Sequence, residues 1–144
     1  MPYENINAKL NDETVIQIQK MLDEIQNQLP FLINLTPDER KQKGPYNRKR
    51  DLFNQKAFEI ARDNANLLPS NIDLIAWQAD RKLLAQLNQL QKSIAQLHEG
   101  VGDTIIALQT EVSKTSSLYF KLLKVMAKLN IPGIDAMLES LRKK

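Results

Sequence analysis

Leu97-His98-Glu99-Gly100-Val101-Gly102-Asp103-Thr104-Ile105 stands in the middle of the longest apolar repeat of the chain. Whether a helix passes through it sets the architecture. Two glycines in three residues weaken a helix, because glycine gives up more backbone entropy than alanine does. Asp103 has the side chain of an N-cap. On this reading the repeat divides into two helices. The first starts near Asn71 or Ile72 and places Ala76, Leu83, Leu87, Leu90, Ile94 and Leu97 along one seam. The next continues with Ile105, Leu108, Val112, Thr115, Tyr119, Leu122, Met126 and Leu129 in heptad register. Two helices of nearly equal length with a short connection pack as antiparallel neighbours. The competing reading is one long helix belonging to an oligomer, since the seam passes almost unbroken through Val101. That helix carries two interior glycines at a cost of about 1 kcal/mol each relative to alanine.

The rest of the chain reads as helix punctuated by proline and glycine. Residues 1–10 have little pattern and are expected to form a loosely held arm, leaving 11–144 as a single domain. Asn11 or Asp12 caps a helix whose stripe is Val15, Ile18, Leu22, Ile25 and Leu29, and Pro30 stops it. The apolar linker Phe31-Leu32-Ile33-Asn34-Leu35 is expected to fold back onto the protein. Thr36-Pro37-Asp38-Glu39 is a capping box with proline at the first helical position, so a short helix follows. After a loop around Gly44-Pro45, a helix from about Asn47 to Ala65 turns Leu52, Phe53, Ala57, Phe58, Ile60 and Ala61 inward and ends before Leu68-Pro69. Asn130-Ile131-Pro132-Gly133 ends the last long helix. A terminal segment, Ile134 to Leu141, docks through Ile134, Met137, Leu138 and Leu141. Leu118, Phe120, Leu123 and Val125 widen the apolar sector of the last long helix, to meet that segment or another copy. The expected fold is all-α: an antiparallel four-helix bundle, with a short helix between the first two main helices and another at the C-terminus.

Composition agrees with helix. The chain has 144 residues, 42% hydrophobic and 26% charged, with only four glycines and 6% aromatics. It has no cysteine, which removes disulfide and thiolate chemistry and suits a reducing cytoplasm. The opening residues show no secretory pattern, and no apolar run approaches the ~18 residues of a membrane span. A net charge of +3 is mild.

Catalytic and metal-binding patterns fail on inspection. His98 is the only histidine, so no histidine pair exists, and position 95, where a di-iron bundle needs glutamate, is Ala95. His98 reads as a cation placed near a helix C-terminus. Gly100-Val101-Gly102 has Ile105 where a dinucleotide fingerprint has its third glycine. No metal, cofactor or catalytic residue is therefore expected.

Asp80 is the most distinctive polar residue. Heptad counting from Leu87 places it on the inward seam, where a carboxylate needs a partner because an uncompensated buried charge costs several kcal/mol. Arg40, a basic residue of the second main helix, or the Tyr119 hydroxyl could supply one. Asp80 then serves as a polar tie or lines a small pocket. Otherwise it faces water, with Trp77 and Leu84 inward. The second feature is basic. Arg40, Lys41, Lys43, Arg48, Lys49 and Arg50 crowd into eleven residues without an acid. Lys114, Lys121 and Lys128 recur every seven residues on the face opposite the seam. These residues could meet nucleic acid or another polyanion by counterion release, or simply solvate a loop and a helix face.

The run Phe31-Leu32-Ile33-Asn34-Leu35-Thr36-Pro37-Asp38-Glu39-Arg40, followed by Leu68-Pro69, Asp80, Asp103-Thr104, Tyr119 and Ile131-Pro132-Gly133, resembles short bacterial helical-bundle proteins of unknown function. The chain departs from them at Gln109, where they often carry glycine. The resemblance implies a helical bundle and draws attention to Arg40, Asp80 and Tyr119, and it brings no activity with it. The expected function is that of a non-enzymatic module acting through protein partners or self-association. Nucleic-acid binding and a pocket at Asp80 are the alternatives.

Overall fold

The computed structural model describes residues 4–43 and 46–143, so the expected loop at Gly44-Pro45 and the first three residues of the arm lie outside the described residues. The protein is all-α: α1 (Asp12–Gln28), α2 (Pro37–Gln42), α3 (Arg48–Asp63), α4 (Leu74–Lys128) and α5 (Ile134–Arg142), with a short 3-10 turn, Ala65–Leu67, after α3. By contacts the chain divides into two compact units, Lys9–Leu90 and Met1–Ala8 with Gln91–Lys144.

In the first unit the helix starts are capped as their sequences dictate. The Thr14 amide donates to Asn11 Oδ1 at 2.7 Å, with Asp12 and Glu13 in the first turn where the helix dipole favours anions. At α2 the Glu39 amide donates to Thr36 Oγ1 at 3.2 Å and the Thr36 amide to Glu39 Oε2 at 3.1 Å, completing the capping box. The Arg50 amide donates to Asn47 Oδ1 at 2.9 Å. α4 begins two or three residues later than its sequence suggests. Asp73 Oδ1 accepts from the amides of Ile75 and Ala76, so its carboxylate rather than Asn71 or Ile72 sets the start.

Packing in this unit centres on α3 and the start of α4. Phe58 and Ala61 are buried, and Trp77 meets Phe58 edge-to-face with ring centroids 5.3 Å apart. The Arg81 guanidinium lies 4.2 Å from the Phe58 centroid, completing the small cluster with a cation–π contact. Other expected core positions stay open. Leu52, Phe53 and Ile60 of α3 are exposed, and α1 buries none of its residues although Val15, Ile18, Leu22 and Ile25 form the expected stripe. The linker does not fold back: Phe31, Leu32 and Ile33 are exposed, and only Leu35 is half-buried.

The second unit holds the chain's one hydrophobic cluster of contiguous buried residues among those described. α5 lays Ile134 and Leu138 on Leu123, which is 1% exposed, with Phe120, Met126 and Ala127 around them. Of the residues that widen this sector, Phe120 and Leu123 serve α5, while Leu118 and Val125 stay exposed. α4 ends by a Schellman motif. Asn130 takes the left-handed conformation (φ 61°), its amide donates to Ala127 O, and the Ile131 amide donates to Met126 O. Gly133 opens α5 at φ 86°, a conformation that a residue with a Cβ resists. The arm is attached here, since the Ile6 amide donates to Glu111 Oε1 at 2.7 Å.

Three expectations fail in the middle of the chain. The reversal near Gly102 is absent: α4 is a single helix of 55 residues. Both glycines are helical, and the Thr104 hydroxyl donates to the Gly100 carbonyl at 2.7 Å, bridging the suspected turn. Asp103 therefore sits exposed inside the helix instead of capping one, and His98 lies mid-helix rather than at a terminus. The physical reason is that good helix formers with an uninterrupted seam flank the glycines. A break would forfeit a run of backbone bonds and add two helix ends to be capped. Among the described residues, the buried cluster joins α5 to the end of α4, and no packing of four helices around one core is seen in either unit.

A continuous α4 makes a direct prediction. An added Cβ at Gly100 or Gly102 meets no atom within 4 Å. Gly100→Ala and Gly102→Ala should each stabilise the protein by about 1 kcal/mol, read as a higher urea midpoint. A reversal at this site would instead make the double variant less stable.

Candidate interaction surface

The seam of α4 is built by spacing alone. Side chains three and four apart share one face of a helix. Ile94, Leu97, Val101, Ile105, Leu108 and Val112 therefore form one stripe within the second unit. Each is between 39% and 64% exposed. α5 covers the neighbouring end of the helix and the arm attaches at Glu111, yet these six remain open to solvent. Single exposed leucines are ordinary; a contiguous apolar stripe is a feature that interaction surfaces share.

Depressions along this helix are open rather than enclosed. One of about 640 Å³ runs over Ile106, Gln109, Thr110, Ser113, Lys114 and Leu118, and another of the same volume lies between the arm residues Glu4 and Ile6 and α4. Among the described residues no group of three His, Cys, Asp or Glu side chains is placed to hold a metal ion. No helix among them is long and apolar enough to cross a membrane.

The expected polar tie is not assembled. Asp80 is exposed, and no buried polar or charged side chain occurs among the described residues. Trp77 takes the inward position against Phe58, the arrangement in which Asp80 faces water. Leu84, expected inward alongside it, is itself 44% exposed. Arg40 is exposed on α2, and Tyr119 is 54% exposed on α4, thirty-nine residues beyond Asp80 along the same helix. Heptad counting from Leu87 carries no information on which neighbour is large enough to claim the contact with α3, and here Trp77 and Arg81, one position along, make it.

The candidate polyanion-binding residues are exposed. Arg40 and Lys41 occupy the last turn of α2, where cations suit the dipole, and Lys43 follows it. Arg48, Lys49 and Arg50 stand in the first turn of α3, against the dipole, balanced only by Asp51, which accepts from the Tyr46 hydroxyl at 2.8 Å. Arg50 also stacks over Phe53 at 4.7 Å from the ring centroid. Lys114, Lys121 and Lys128 line the outer face of α4 and are exposed, while Lys124 lies 4.5 Å from the Phe120 ring centroid.

No protein-family model matches the chain, and neither a curated protein nor a solved structure matches it.

An exposed Asp80 predicts that Asp80→Asn changes the stability by no more than about 0.5 kcal/mol, as for surface substitutions generally. A urea titration checks this; a loss of several kcal/mol would reveal a buried, paired carboxylate.

Proposed function

We propose that this chain is a non-enzymatic helical interaction module whose α4 seam is the surface that meets a protein partner. The observation that carries the reading is the open apolar stripe from Ile94 to Val112 on a helix that continues through its two glycines. Moving such a stripe out of water is favourable by roughly 25 cal/mol per Å². A long helix also presents the stripe in one fixed geometry, which suits recognition by another helix. The outer lysines keep the opposite face hydrated, so association is directed to one side.

The test is sedimentation and co-purification of the intact protein beside a Val101→Lys variant. The wild-type chain should sediment with a partner, its own copy or another protein. The variant should lose at least tenfold in affinity, with helical content by circular dichroism retained. A wild-type chain that sediments alone at all concentrations and retains no partner on purification would contradict the reading.

A further inference from the structure

The N-terminal arm makes a contact that no local sequence rule supplies. The Ile6 amide donates to Glu111 Oε1 at 2.7 Å across 105 residues of chain, and the bond is partly shielded from water. Both residues belong to the second unit. Between Gln91 and Tyr119, Ala107 is the one buried residue of α4, and Glu111, one turn on, is half-buried. Ala107 shares a depression with Glu4 and Ile6 of the arm. We propose that this face of α4 is a docking site for an extended chain segment, occupied in cis by the chain's own arm as a releasable strap. The site is separate from the seam, whose six residues the arm leaves open.

The chemistry of the site suits main chain. Lys114 is the neighbour of Glu111 at a three-residue step, the spacing of helical ion pairs. The one ion pair among the described residues is nevertheless Arg62–Asp63, so the Glu111 carboxylate is spent on the arm. A bond from a backbone N–H to a carboxylate is charge-assisted, and it reads an extended backbone rather than a particular side chain. Ala107 and Glu111 share one face at a four-residue step, and the short side chain of Ala107 leaves room for a backbone beside the carboxylate. The same contact is small enough to open. From Glu4 to Ala8 only Ile6 is half-buried, and the other four residues are exposed. An open depression of about 640 Å³ remains between the arm and α4, so the strap is not packed down along its length. Segments with so few buried contacts open locally without global unfolding.

Trypsin cleavage after Lys9, an exposed residue between the arm and α1, reads the release, because proteolysis follows the population of the open form. The intact chain is compared with Glu111→Ala, which removes the acceptor, and with Ala107→Leu, which fills the space beside it with a good helix former. Circular dichroism confirms that both variants stay helical, and cleavage after Lys92 within α4 controls for general unfolding. Cleavage after Lys9 should be at least tenfold faster in each variant, with cleavage after Lys92 unchanged. The Ile6 amide should exchange with solvent faster by a similar factor. Equal cleavage after Lys9 in all three chains would overturn the docking site. Protection of Lys9 that grows with the concentration of the wild-type chain would overturn the strap in cis and give the arm to a second copy.

Discussion

The constraint on which this structure depends is the need to take the apolar face of a 55-residue helix out of water. Hydrophobic burial is the main favourable term in folding, and it must offset a conformational entropy cost of similar size. Within the second unit α4 is buried at Ala107 and at Leu123, where α5 places Ile134 and Leu138 over it. The stripe from Ile94 to Val112 remains open. Along that stripe the helix gains little apolar burial from its own unit.

Local chemistry was read from sequence with high fidelity, because a cap is decided by a few adjacent residues. Asn11, the Thr36–Glu39 box and Asn47 all bond as their side chains dictate. The end of α4 follows the same rule, since Asn130 tolerates the left-handed conformation and Pro132 forbids continuation. The interior of α4 shows where such reasoning stops. Gly100 and Gly102 carry an intrinsic cost, but that cost competes with the backbone bonds of every flanking turn, and Thr104 adds a bond across the suspected break. A local signal of about 2 kcal/mol did not outweigh the cooperative ladder around it.

Contact between elements was much less legible. Periodicity states which residues share a face; it does not state what that face meets. Val15, Ile18, Leu22 and Ile25 form the expected stripe on α1 and remain exposed. Asp80 was placed by counting from Leu87, and the geometry turned instead on the bulk of Trp77 and its edge-to-face contact with Phe58. The basic residues were found by composition, and their exposure follows from charge. Their arrangement on two short helical turns and on one face of α4 supplies no ligand by itself.

The continuity of α4 is the premise on which the reading of its seam rests, and one distance tests it. Spin labels at Lys92→Cys and Lys114→Cys, both exposed positions in the second unit, would be measured by pulsed electron resonance in protein diluted with unlabelled chain. A straight helix separates them by about 33 Å, at 1.5 Å per residue. A dominant distance near that value is the predicted result. A distance of about 10–15 Å, the spacing of packed neighbouring helices with their labels, would mean that the chain reverses at Gly102 and would contradict the account.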